Sequence, residues 1–116
     1  MSFGPIKIYS MTMASGATLT SQVDLGRAYS QIYLEIQSIA TNTQIYIQGS
    51  VSDGGTFRRI VHPITNGAPP QTAYEFAIQS GTTSGFVPIP NGFRYMKVET
   101  TMAVANGANF NFVCLD

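Results

Sequence analysis

The sequence predicts an all-β fold: a single-domain antiparallel jelly-roll β-sandwich of about eight strands. Three observations carry this. Apolar and polar residues alternate in run after run, the period of a half-buried strand. Turn signals separate the runs at intervals of roughly 8–15 residues, the spacing of sandwiches and barrels. And the apolar i, i+3, i+4, i+7 pattern of an amphipathic helix is missing; at most one helical turn is expected, near 26–30 or 71–74.

The first candidate strand is "IKIYSMTM" (6–13). Before it, Gly4 and Pro5 disfavour local structure, while Phe3 and Ile6 offer apolar anchors. Residues 1–16 are therefore expected to form an N-terminal arm and first strand, and 17–116 the sandwich body, one domain overall. "TLTSQVDL" (18–25) is a second candidate. In "QIYLEIQ" (31–37), Ile32, Leu34 and Ile36 face one way and Tyr33 and Glu35 the other. "QIYIQ" (44–48) repeats the pattern with Ile45 and Ile47 inside. The two runs look alike, and the simplest account is a pair of neighbouring antiparallel strands. Tyr33 and Tyr46 would then form an outward cross-strand pair, an anchor suited to protein contacts.

"SVSDGGTFRRI" (50–60) follows. Asp-Gly and Gly-Gly supply the positive φ angles of a tight turn, so Asp53, Gly54 and Gly55 are expected to close a hairpin onto "TFRRIVH" (56–62). Adjacent strand residues point to opposite faces, so Arg58 and Arg59 cannot both point outward. Either a bulge sits there or one arginine lies over the sandwich edge, held by an acid or a partner chain. "AYEFAIQ" (73–79) places Tyr74, Phe76 and Ile78 on one face. "GFVPI" (85–89) contains Pro88 and belongs at an edge. "RYMKVET" (94–100) sets Met96 and Val98 against Lys97 and Glu99, and "NFNFVCL" (109–115) sets Phe110, Phe112 and Cys114 against Asn111 and Val113.

The 116 residues fit one domain with a core that needs no staples. Only 10% are charged, against a typical ~25%. Six basic residues balance six acids. Nucleic-acid binding draws most of its affinity from phosphate contacts and so favours a basic excess, which this chain does not have. An anionic membrane surface is disfavoured for the same reason. So little charge leaves a small soluble monomer poorly protected against association, which points to a surface covered by partners.

Chemistry is sparse. The only histidine, His62, stands beside Pro63, and the only cysteine, Cys114, lies in an apolar run where a buried, inert thiol is expected. There is no G-x-S-x-G elbow, P-loop, zinc cluster or EF-hand loop. Glu35, Glu75 and Glu99 occupy outward strand positions rather than facing one another across a cleft. No catalytic residue, cofactor or metal is expected; Asp24 and Asp53 are the only loop acids near which a calcium ion would find a carboxylate. Phe57, Tyr33, Tyr46, Tyr95 and Phe86 keep a glycan-stacking surface in view, although tryptophan is absent.

Residues 17–115 resemble the discoidin or galactose-binding-like jelly roll. The matching text is "VDLGRAYSQIYLEI" (23–36), "TQIYIQGSVSDGGTFRRI" (43–60), "RYMKVETT" (94–101) and the closing "NFNFVCLD". The resemblance implies the sandwich; members of that family bind sugars, lipids or proteins through loops at one end. A small, charge-poor, Thr/Ser/Gln/Asn/Gly-rich sandwich without disulfides also looks like a small virion protein of a tailed bacteriophage. That likeness implies a non-enzymatic capsid decoration (cement) protein that stabilises the shell. Its partners would be the major capsid protein or other virion proteins, and sister copies in a homotrimer on a capsid threefold. Its contacts are expected at Phe3, Ile6, Tyr33, Tyr46, Arg58 and Arg59. The alternatives are a carbohydrate-binding module and a tail or baseplate component. "MSFGPIKIYS" shows no secretory signal, so synthesis in the host cytoplasm and residence in the virion are expected.

Overall fold

The structure is a computed structural model that describes residues 6–37, 39, 43–64, 72–78, 84–104 and 107–115, with 62–64 and 72–75 as backbone. In chain order the strands are β1 (Lys7–Met13), β2 (Val23–Asp24), β3 (Gln31–Ile36), β4 (Ile45–Ser50), β5 (Arg58–Arg59), β6 (Val61–Ile64), β7 (Thr72–Glu75), β8 (Ala77–Ile78), β9 (Gly85–Ile89), β10 (Tyr95–Thr100) and β11 (Ala108–Leu115). The first sheet has the order β1-β11-β3-β9; the second runs β2-β10-β4-β5, with β8 also on β4. All these pairings are antiparallel.

The alternation in the sequence becomes the core between the sheets. Met11, Met13, Ile32, Leu34, Ile36, Phe110, Phe112 and Cys114 point inward from the first sheet. Ile45, Ile47, Ile60, Ile78, Met96 and Val98 meet them from the second. Each large side chain so buried contributes about 1.5–3 kcal/mol, which outweighs the modest cost of ordering β-branched chains that strands already restrict.

One strand of the second sheet is split. Gln48 and Gly49 of β4 pair with Arg59 and Arg58 of β5, and the Ile60 amide donates to the Ile47 carbonyl at 2.9 Å. The next two residues of β4, Tyr46 and Ile45, pair with Ala77 and Ile78. Along this edge, residue 60 is thus followed by residue 77. Residues 61–76 are an insertion with its own antiparallel ladder, Val61 to Glu75 through Ile64 to Thr72, closed at its base where the Phe76 amide donates to the Ile60 carbonyl at 2.8 Å. With β5 and β8 counted as one strand, the sheets hold eight strands. Their order is first-eighth-third-sixth in one sheet and second-seventh-fourth-fifth in the other, a jelly roll.

Several expectations change. β3 and β4 lie in different sheets, so they do not pair and form no hairpin. "TLTSQVDL" yields only β2 and a single bridge from Leu19 to Glu99. "TFRRIVH" and "AYEFAIQ" are each divided by the insertion. Neither expected helical turn is present: 26–30 is irregular and 72–75 is β7.

Candidate protein-interaction surface

The two outer faces of the sandwich differ in chemistry. On the second sheet the charges are consumed locally. Arg59 donates to Glu99 through Nε (2.9 Å to Oε1) and Nη2 (2.5 Å to Oε2), and its guanidinium stacks 3.9 Å from the Tyr46 ring centre. Gln48 Nε2 donates to the same carboxylate at 2.8 Å. The Arg59 guanidinium, helped by Gln48, holds the Glu99 carboxyl below the usual carboxylate range, against the opposing pull of burial. Lys97 covers the Phe57 ring at 4.4 Å. At the sheet edge Arg94 grips Asp24 through two hydrogen bonds of 2.7 and 3.0 Å, and Asp24 also accepts from the Gly26 amide at 2.8 Å. Those partners, Arg94 first, lower the Asp24 pKa, and Asp24 in turn raises that of Arg94.

At the open end of the sandwich, residues 51–57 close the β4–β5 hairpin. Gly54 takes the expected positive φ of 64°, and the Gly55 amide donates to the Ser52 carbonyl at 3.1 Å. Gln22 pins the turn: its Nε2 donates to Asp53, and its Oε1 accepts from the Gly54 amide at 2.9 Å. Asp53 and Gly54 therefore serve geometry. The register runs without a bulge through residues 58, 59 and 60, so Arg58 takes the inward side of the strand and Arg59 the outward. Arg58 stays exposed because it stands beyond the end of the core. There it borders a largely apolar groove of about 390 Å³, lined also by Gly49, Val51, Ile60, Val61 and Phe93.

The outer face of the first sheet is different. Ile8 pairs with Val113, Val113 with Tyr33, and Tyr33 with Pro88. One apolar row therefore crosses all four strands. Ile8 is 61% exposed, Pro88 is exposed, and Val113 and Tyr33 are half-buried. Phe86, 63% exposed, lies in the next row opposite Glu35, and Ile6, 59% exposed, precedes Ile8 by two residues. Glu35 accepts from Asn111 Nδ2 at 2.8 Å.

Of the contact residues expected from the sequence, Phe3 lies outside the described residues. Ile6 and Tyr33 belong to the apolar face, Arg58 to the groove, and Tyr46 and Arg59 to the paired network. Tyr33 and Tyr46 are no cross-strand pair: they stand on opposite faces of the sandwich, because β3 and β4 belong to different sheets. The sequence reasoning missed Ile8, Val113 and Pro88, and weighed Phe86 only for glycan stacking. Their signal was an apolar residue at the outward position of an alternating run, as at Val113 among the asparagines of "NFNFVCL".

Cys114 is fully buried, and burial pushes its thiol up to about 11. Nothing is described of the His62 side chain. Among the described residues no three His, Cys, Asp or Glu side chains gather as metal ligands. The chain matches no known protein-family model, and no curated protein matches it.

Proposed function

We propose that the chain is a non-enzymatic structural protein that works by burying protein surface, and that its setting is the capsid of a tailed bacteriophage, as a decoration protein. One observation carries the structural part: the apolar row Ile8–Val113–Tyr33–Pro88 on the outside of a sheet whose inside is already a packed core. A solitary soluble domain gains nothing from such a row, whereas a docked one buries it. The low charge supports the same reading, because desolvating this surface strips few ions of water. The virion setting rests on the likeness drawn from size and composition; a tail or baseplate location uses the same chemistry.

The test is to purify particles from a lysate that contains the chain, quantify it by mass spectrometry and locate it in a particle map. Symmetric copies on the shell, with the Tyr33 face against capsid protein, are expected. Absence from particles would overturn the setting. Tyr33→Lys should reduce occupancy by at least about tenfold, since an uncompensated charge would enter the interface.

Glycan binding is favoured by one feature only, the groove between Phe93 and Arg58. A glycan array with titration decides it. Specific sub-millimolar binding lost in Phe93→Ala would establish a sugar site and displace the purely structural role.

A further inference from the structure

The sandwich has four sheet edges, and three are blunted. β9 carries Pro88, which has no N–H to offer a partner. β2 is two residues long. The β5/β8 edge is broken after Ile60 by the insertion 61–76. These are standard defences against strand addition. β1 has none of them. It is seven residues long, contains no proline, and its only charge is Lys7 at its first residue. It pairs with β11 on one side; among the described residues no strand and no backbone hydrogen bond occupies the other.

We propose that β1 is the seam of a two-fold dimer, in which the β1 strands of two copies pair antiparallel and join their first sheets into one of eight strands. This deepens the structural role proposed above and rests on it. A second copy is the occupant that fits. From Ile8 to Met13 the strand is uncharged, so it meets its own copy without repulsion. An isologous pair also satisfies both free edges at once. The register follows from the chain. Pro5 cannot donate to a ladder, so pairing does not run back past it. The arrangement that uses all of Lys7–Met13 and no more centres the two-fold on Ser10. Ser10 then faces its own copy, Ile8 faces Thr12, Tyr9 faces Met11 and Lys7 faces Met13. On the outer side this places Ile against Thr, a favourable cross-strand combination.

The test uses the whole chain. Light scattering should give a dimer, twice the 12.5 kDa chain. Ser10→Cys should crosslink to a covalent dimer on mild oxidation, because facing residues of an antiparallel pair stand ~4.5–5.5 Å apart at Cα. Ile8→Cys should not crosslink: the two copies of residue 8 would lie four residues apart along the seam, roughly 13 Å. The native Cys114 is fully buried and does not confuse either readout. Ser10→Lys should raise the dimer dissociation constant by at least about tenfold while the fold, followed by circular dichroism, stays intact, since Ser10 is exposed. A monomer or a trimer in solution overturns the seam. So does crosslinking at residue 8 in place of residue 10, or a dimer indifferent to Ser10→Lys. A monomer that still occupies particles through its Tyr33 face overturns the seam alone. A Ser10-linked dimer absent from particles supports the seam and overturns the virion setting.

Discussion

Gly49→Ala should destabilise the protein, and the same substitution should stabilise it once Phe93 is gone. Gly49 lies in β4 without a positive φ, so alanine meets no backbone penalty there. Taken alone, exchanging glycine for alanine in a compatible strand gains about 0.4–1 kcal/mol by narrowing the unfolded ensemble. The side chain of Phe93 opposes it. A Cβ at position 49 would stand 2.7 Å from Phe93 Cγ, and 3.0 and 3.1 Å from the two Cδ atoms. These atoms sit at the root of the ring, close to the backbone, and cannot swing clear as a ring tip would. Overpacking of this kind costs about 1–3 kcal/mol. The net loss is then roughly 0.5–2 kcal/mol, a fall in Tm of about 2–8 °C at roughly 4 °C per kcal/mol for a chain of this size. In a Phe93→Ala background the clash is absent, and Gly49→Ala should raise Tm by about 2–4 °C. Thermal melts of the four proteins, checked by urea unfolding, complete the cycle. An effect of the same sign in both backgrounds would refute the close approach of Phe93 to β4 in the groove.

Three more outcomes are expected. Glu99→Gln should cost about 1 kcal/mol at neutral pH, a modest figure because Arg59 is 34% exposed and partly screened. Since the folded-state pKa of Glu99 lies below its ordinary 4.5, that stability is present above 4.5 and lost as pH falls through the folded value; urea melts should show the gap between wild type and variant steady from about pH 6 to 8 and closing in acid. Deleting residues 61–76, so that Ile60 joins Ala77, should leave a cooperatively unfolding sandwich, because it restores one continuous edge strand; a chain that loses its near-ultraviolet circular dichroism would contradict the insertion. Cys114 should resist a thiol reagent in the native protein and react fully in denaturant, and rapid native labelling would contradict its burial.

Alternation in the sequence was enough to assign the inward residues of β3, β4, β10 and β11, because each of these strands is buried on one face only. It said nothing of sheet membership. A period of two separates inside from outside, and it reads the same for "QIYLEIQ" and "QIYIQ" whether they are neighbours or face each other across the core. The split edge was hidden for a related reason: "TFRRIVH" is one unbroken β-prone run, and only its pairing with β4 shows where the insertion begins. Alternation also names a face without a depth: it showed that Arg58 and Arg59 cannot both point outward, but not which of them turns inward, nor that the inward one stays exposed. The ion pairs Arg59–Glu99 and Asp24–Arg94 join residues 40 and 70 positions apart, a proximity set by strand order alone. The apolar row on the first sheet was written in the outward positions; it went unread because each member is unremarkable until the four strands stand side by side.

The place of β11 has a consequence for how the protein is made. β11 comes last of the eleven strands in synthesis, yet it lies between β1 and β3, pairing Met11 with Phe110 on one side and Phe110 with Ile36 on the other. Until it leaves the ribosome, β1 has no neighbour in its sheet, and the apolar side chains of β3 and β4 lack the phenylalanines that cover them. Contacts this distant in sequence close slowly, since the entropy of ordering the chain is lost before they form. The nascent chain therefore carries two open edges, those of β1 and β3, where the finished one has filled the gap. Loss of β11 would leave the first sheet in two pieces, with β1 cut off from β3 and β9.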